Sequence, residues 1–492
     1  MYTIGYDIGS SSVKAALVEV ATGRVLARVT APETEMGMDA PEPGWAEQDP
    51  AAWYRYVVAA TQDILARTQV QGEDIKAVGI GYQMHGLVLV DEDFAVVRPS
   101  IIWCDGRAVA TGDRAFRGIG SDTCLTHCLN SPGNFTAAKL KWVAEHEPDH
   151  YARARYAMLP GDYVALRMTG EATTTVTGLS EGVLWDFKRN ALADLVLDEM
   201  ELDRTKLPRR VPAVGKQGTL TAAAAAELGL APGTVVGYRA GDQPNNALSL
   251  NVLAPGEVAA TGGTSGVVYG VTDRLAFDPG QRVNSFAHVN HDGGAPRIGV
   301  LLCINGAGIL HRWVRNLLGE TLGYGELEAL AAAAPVGCDG LHFLPFGNGP
   351  ERMLNNKHVG AHLLDLDLNR HDRGHVVRAG LEGIAFAFVY GMEVMKDLGV
   401  DLSTIRVGND NLFQSDVFSS TVATLTGATI EVHNTTGAVG AALASAVSVG
   451  LADDLAAAVG RQEVVASVTP GDNAAALRAA YGRWRESLEA RL

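Results

Sequence analysis

At 492 residues the chain exceeds what a single hydrophobic core organises, and two large domains are the simplest partition. An apolar fraction of 47% with 20% charged residues excludes long disordered stretches. Lys and Arg total 40 against 56 Asp and Glu, and the resulting net charge of −16 argues against nucleic acid or an anionic membrane as a partner.

Five scattered cysteines are too few, and odd in number, for a disulfide framework, which points to a reducing compartment. The opening Met1-Tyr-Thr-Ile-Gly-Tyr-Asp7 has no basic region followed by an apolar stretch, and no run approaches the roughly 18 apolar residues that span a bilayer. The expected location is the cytoplasm.

In chain order, Thr3–Tyr6, Val13–Val20 and Val25–Val29 read as consecutive strands, turning at Gly9–Ser12 and Thr22-Gly23. Asp49-Pro50 reads as an N-cap and first helical residue, opening a helix through Ala66. Ile75–Gly81 follows as a buried strand. Ala222–Gly229 is helical by propensity, Thr234–Tyr238 is strand-like, and a helix is expected from Pro244. Glu257–Thr261 and Gly266–Val271 repeat the opening theme of strand, Gly and hydroxyl turn, strand. Strands at Leu341–Pro345 and Thr404–Val407, and helices at Arg378–Leu398, Ser415–Leu425 and Ala474–Leu492, complete a second half. The fold class is therefore α/β in two related halves, divided near Val252–Pro255, where a hinge is expected.

Five motifs carry chemistry. Asp7-Ile-Gly9-Ser10-Ser11-Ser12-Val-Lys14 ends a strand in a carboxylate and a turn whose N–H groups and hydroxyls can cradle phosphate, with Asp7 suited to Mg²⁺; a plain hairpin turn would look the same. Thr261-Gly-Gly263-Thr264-Ser265 is a second turn of that design. Gly241-Asp242-Gln243 follows a strand, and Asp242 reads either as a helix N-cap or as a general base taking the proton of an attacking hydroxyl.

Gly79-Ile-Gly-Tyr-Gln83-Met84-His85-Gly86 ends an apolar strand, where α/β ligand sites form, and Met84 stands where a dinucleotide fingerprint needs its third Gly. Trp103-Cys-Asp105-Gly-Arg107 offers a ring, a carboxylate and a guanidinium to polyol hydroxyls, or else a solvent-facing loop with an Arg–Asp pair. Arg406-Val-Gly408-Asn409-Asp-Asn411 and Asn434-Thr-Thr-Gly-Ala-Val-Gly440 are strand-to-helix turns open enough to admit a ribose or a flat ring. No P-loop is present in the sequence. Cys124-x3-Cys128 with His127, and His371-x3-His375, have metal-pair spacing without a second pair close by.

Taken in order, Asp7-Ile-Gly-Ser-Ser-Ser12, Gly44-Trp-Ala-Glu-Gln-Asp-Pro50, Gln83-Met-His-Gly86, Trp103-x-Asp-Gly-Arg107, Gly241-Asp242, Gly263-Thr-Ser-Gly266 and Gly437-Ala-Val-Gly-Ala-Ala442 resemble the FGGY carbohydrate kinases over essentially the whole chain, and the xylulokinases among them. That resemblance implies two ribonuclease H-like domains of the actin and hexokinase type with an interdomain cleft. Residues 1–253 would bind sugar and 254–492 nucleotide. It implies ATP and Mg²⁺, with Asp242 as base and Asp7 and Asp242 at the metal. Gln83, Met84, His85, Trp103, Asp105, Arg107 and Gln243 would contact sugar. Gly9, Ser10, Ser11, Ser12, Lys14, Gly263, Thr264, Ser265, Gly408, Asn409 and Asn411 would serve ATP and phosphate.

The implied reaction converts D-xylulose to D-xylulose 5-phosphate. Two positions depart from the xylulokinase pattern. Gln243 replaces the usual Asn, as in glycerol kinases, and Gly408-Asn-Asp-Asn411 replaces a Gly-Gly-Gly or Gly-Gly-Ala turn. Glycerol, ribulose or a sugar acid are the alternative acceptors, and a nucleotide-binding regulator of the same fold is the alternative outside catalysis. The expected partners are a small sugar and MgATP, without nucleic acid or membrane, and a homodimer is an allowed assembly.

Overall fold

The computed structural model describes residues 1–319 and 322–492. Thirteen strands and eight helices position the sites. They are β1 (Tyr2–Ile8), β2 (Val13–Glu19), β3 (Arg24–Ala31), α1 (Pro50–Thr68), β4 (Ile75–Tyr82), α2 (Thr136–His146), α3 (Val176–Glu181), β5 (Val214–Thr219), β6 (Val235–Gly241) and α4 (Asp242–Ser249). There follow β7 (Val258–Gly262), β8 (Gly266–Thr272), β9 (Asn284–Ala287), β10 (Ile298–Ile304), α5 (Gly308–Leu318), α6 (Arg373–Asp397), β11 (Thr404–Gly408), α7 (Asp416–Thr426), β12 (Thr429–His433), α8 (Gly437–Val447) and β13 (Val464–Val468).

The chain forms two compact units. The first comprises Met1–Leu253, Phe286–Ile298 and Thr435–Gln462; the second comprises Ala254–Ser285, Gly299–Asn434 and Glu463–Leu492. The chain changes units at Leu253, but residues 254–492 are not one continuous compact body, because two later segments return to the first unit.

The first unit holds a six-stranded sheet in the order β5-β6-β4-β1-β2-β3. β1 pairs antiparallel with β2 and parallel with β4, and β4 pairs parallel with β6. The second unit repeats this pattern within a seven-stranded sheet, β9-β10-β8-β7-β11-β12-β13, with β7 antiparallel to β8 and parallel to β11. The shared strand order, not merely the similar hairpins, makes the two halves related ribonuclease H-like units.

Alternation along β1 decides what covers each face, because successive side chains point to opposite sides. Ile4, Tyr6 and Ile8 face α1, where Trp53, Val57, Ala60 and Ile64 recur at helical spacing and are fully buried. Asp49 starts that helix, accepting from the Ala51 N–H at 2.9 Å, with Pro50 in the first turn. The other face is paved with glycine. A Cβ on Gly5 would stand 2.0 Å from the Ala438 carbonyl oxygen, and one on Gly79 would stand 2.0 Å from that of Ala441. α8, rich in Ala and Gly, therefore lies with its backbone directly on the sheet.

α6 starts earlier than the apolar periodicity predicts, because Asp372 caps it by accepting from Gly374 and His375 N–H groups. The His375 ring returns a contact to Asp372, so the His371-x3-His375 spacing belongs to a helix start. Cys124 and Cys128 are buried in a short helix of the first unit. Among the described residues no helix is long and apolar enough to cross a membrane.

Candidate active site

The first unit gathers its polar residues at the ends of β1, β4 and β6. Asp7 lies opposite Lys14 across the β1–β2 pair and beside Gly81 of β4. Its carboxylate faces the start of α8, since a Cβ on Gly437 would meet Asp7 Oδ2 at 3.1 Å and Asn246 Oδ1 at 2.7 Å. Burial raises the Asp7 pKa, and Lys14 partly offsets it.

Gly9–Ser12 forms a tight turn closed by Gly9 N–H donating to Ser12 O at 3.0 Å. Gln48 braces it, donating from Nε2 to Ser10 O at 2.7 Å and accepting from Trp53 Nε1 at 3.1 Å. Gln83 Nε2 reaches the same Gln48 Oε1 at 3.3 Å, and Gln83 Oε1 is buried without a hydrogen-bond partner among the described residues.

The two readings of Asp242 separate here. Gly241 occupies the N-cap of α4 and Asp242 is the first helical residue, so the carboxylate is not the cap. Its pKa is pushed up to about 7, chiefly by burial and then by the charge of Asp7, against hydrogen bonds from Gln243. A carboxylate poised near neutrality suits a general base. Beside it, a Cβ on Gly241 would lie 2.5 Å from Glu181 Oε2 and 2.5 Å from Met84 Cγ, so Glu181 and Met84 flank the residue before Asp242. Burial, then Asp242, drives the Glu181 carboxyl well above its ordinary value.

His85 has the left-handed backbone φ of 62°, uncommon for a residue with a Cβ. Its Nδ1 lies 3.0 Å from the Glu181 carbonyl oxygen, its own carbonyl accepts from Lys139 Nζ at 2.8 Å, and its ring packs on Phe135 and Phe286. Lys139 is fully buried, and burial pulls its ammonium down to about 7 despite Asp105 nearby.

Trp103 is 52% exposed, with its indole N–H 3.4 Å from Ser10 Oγ. Asp105 and Arg107, expected at the sugar, are paired with each other and with neighbouring protein groups. Both side chains have no exposed surface. Asp105 accepts from Ala46 N–H at 2.6 Å and pairs with Arg107, whose guanidinium also pairs with Glu47 at 2.7 Å and stacks 3.7 Å from the Trp45 ring centroid. Trp45, Glu47 and Gln48 of the Gly44–Pro50 segment thus hold up the site from behind. Sequence reasoning missed Glu181, Lys139, Asn245 and Asn246.

In the second unit, the turn Gly263-Thr264-Ser265 is pinned by the start of α5, where Gly308 N–H donates to Gly263 O at 3.0 Å and Ile309 N–H to Thr264 O at 3.1 Å. Those contacts occupy the turn's carbonyls and leave Thr264 and Ser265 exposed. A cavity of about 570 Å³ adjoins the turn, lined by Gly262, Gly263, Thr264, Gly308, His311, Arg312, Tyr324, Asn411 and Gln414 among others. Gly408 ends β11 and Asn409 follows it, its N–H bonded to His433 O; neither they nor Ser265 line that cavity. His311, Arg312 and Gln414 carry no local sequence signal.

Among the described residues no three His, Cys, Asp or Glu side chains are grouped to hold a metal ion. Mg²⁺ is ordinarily held by one or two carboxylates together with water and phosphate oxygens. Asp7 and Asp242, near enough for the charge of one to raise the other, fit that role.

Paired ribonuclease H-like units with a desolvated carboxylate at a helix start and hydroxyl-rich turns define a protein of the actin and hexokinase-like fold. The model of the FGGY family of carbohydrate kinases, N-terminal domain, matches residues 2–249, and that of the C-terminal domain matches 258–449. Xylulose kinase of Escherichia coli is 30% identical over 444 residues, 90% of this chain and 88% of the other. The crystal structure of xylulose kinase from Rhodospirillum rubrum superimposes with a TM-score of 0.88 at 27% identity, covering 100% and 99% of the two chains. Gluconate kinase from Lactobacillus acidophilus has a TM-score of 0.89 over 99% and 98%, but at 21% identity it shows the shared fold alone. The chain belongs to the FGGY family of carbohydrate kinases, and it is a sugar kinase that resembles the xylulose kinases.

Proposed function

We propose that the protein transfers the γ-phosphoryl group of ATP to the primary hydroxyl of an open-chain ketose, converting D-xylulose to D-xylulose 5-phosphate. The observation that carries this reading is Asp242, a carboxylate at the start of α4 held near neutrality, preceded by Gly241 against which Met84 packs. Asp242 takes the hydroxyl proton as the oxygen attacks phosphorus, and the proton leaves on its carboxyl. Met84 and His85 line the sugar side, with Gln83 Oε1 and the exposed Trp103 ring available to its hydroxyls and carbon face. Gln243 steadies the Asp242 carboxylate by hydrogen bonding. Mg²⁺ held by Asp7 and Asp242 would neutralise phosphate charge.

Nucleotide is assigned to the second unit, where the Thr264 and Ser265 turn offers donors to phosphate and the cavity lined by Asn411 admits the nucleoside. Gly9, Ser10, Ser11, Ser12 and Lys14 are assigned to phosphate in the first. Cytoplasmic residence and a homodimer belong to the same proposal.

The test is ADP release with D-xylulose, D-ribulose, L-ribulose, glycerol and gluconate, for wild type and Asp242→Asn. A preference for D-xylulose that disappears in the variant is expected. Preference for glycerol or gluconate overturns the ketose assignment. Equal, sugar-independent ATP hydrolysis in both proteins overturns the mechanism.

A further inference from the structure

Lys139 is a fully buried ammonium that donates to a backbone carbonyl, that of His85, at 2.8 Å. His85, three residues past the end of β4, has a left-handed backbone φ of 62°. Positive φ is uncommon for a residue with a Cβ, and three contacts hold His85 there. Lys139, from α2, holds the carbonyl. The Glu181 carbonyl oxygen, from the end of α3, lies 3.0 Å from Nδ1. Phe135 meets the ring edge-on and Phe286 packs on it at a tilt, at centroid distances of 4.5 and 5.4 Å.

Because a carbonyl oxygen only accepts, Nδ1 must carry the proton, and in the neutral imidazole Nε2 is then the acceptor. The backbone angle set at the His85 carbonyl and the tautomer set at Nδ1 together fix which nitrogen is offered and in which direction.

We infer that Lys139 is a positioning residue for the sugar: by holding the His85 carbonyl it keeps the left-handed turn that directs the imidazole Nε2, as an acceptor, at a hydroxyl of the ketose. This inference rests on the reading that His85 faces the sugar. Lys139 itself touches no substrate and moves no proton. If it only filled space in the core, its replacement would weaken the whole protein without preference for one substrate.

The experiment is a kinetic double-mutant cycle in the full chain with His85→Ala, Lys139→Met and the pair, measured at saturating ATP and at saturating D-xylulose. Lys139→Met is expected to raise KM for the ketose about tenfold while KM for ATP stays within about twofold, and to add less than about twofold in the His85→Ala background. Lys139→Arg, which returns a cationic donor, is expected to recover part of the loss. Multiplicative effects in the pair, or an unchanged ketose KM in Lys139→Met, overturn the inference. An unchanged ketose KM in His85→Ala instead overturns the sugar-facing reading of His85, so the two failures are distinguishable. Should Lys139→Met not fold, Lys139→Gln, which keeps a shorter neutral donor, enters the same cycle under the same criteria.

Discussion

Glu181 and Gly241 are in such close approach that a methyl group on Gly241 would stand 2.5 Å from the Glu181 carboxylate oxygen. Met84 Cγ closes the same space at the same distance. The Asp242 backbone therefore takes its position from a glycine that admits a carboxyl on one side and a thioether on the other.

Gly241→Ala is expected to displace both neighbours, lowering stability by about 1–3 kcal/mol, as overpacking does, and reducing kcat/KM for sugar more than that for ATP. Thermal unfolding together with paired steady-state titrations checks this; wild-type values for both would show that the site yields without cost.

Asp242→Asn is expected to lower kcat by about 10²–10⁴-fold, the range for losing a general base, with sugar affinity retained. Calorimetric titration of the ketose into the variant, alongside the rate, separates binding from chemistry. Weakened sugar binding in proportion to rate would assign Asp242 to binding instead.

The pH dependence follows from the direction of the Asp242 shift. The working base is the carboxylate, so kcat/KM for the sugar is expected to rise with pH and level off at or below about 7, since a bound cation lowers that value. Stability runs the other way. Asp242 is raised in the folded state, so its contribution is fully present below its unfolded value of about 3.9 and is lost as pH rises through about 7. Melting curves should show Asp242→Asn gaining on wild type between pH 5 and pH 8. A constant difference across that range would contradict the shift.

In the second unit, Gly308→Ala would put a Cβ 2.4 Å from the Gly263 carbonyl oxygen and force the turn off the start of α5. KM for ATP is expected to rise about tenfold with KM for sugar unchanged. Equal effects on both would mean that the turn serves the whole fold and not the nucleotide.

The sequence made the strands and turns at Asp7–Lys14 and at Thr261–Gly266 legible, because an apolar run that breaks at Gly and hydroxyl residues has few other readings. Asp242 was legible as one of two things; Gly241 at the cap removes the capping role and leaves the general base as the proposal. Asp105 and Arg107 fit a polyol or an internal pair equally well in sequence, and the Ala46 N–H and Glu47 that they meet, from more than 50 residues earlier, are visible only in the fold. Lys139 and Glu181 left no local signal. Each sits in an ordinary helical stretch and becomes part of the site through the topology that brings α2 and α3 beside β4.

The glycine-paved face of the first sheet has a consequence for biosynthesis. Gly5 and Gly79 are shaped to receive α8, whose residues begin at Gly437. While the ribosome adds residues 254–434, the nascent first unit has its α1 side closed and its glycine side bare to water. That unit is completed only when Thr435–Gln462 emerges. A fragment ending at Leu253 would keep the aspartates and the sugar motifs and still lack the helix that covers the Gly5 and Gly79 face, so half a gene encodes a bare sheet face and not half an enzyme.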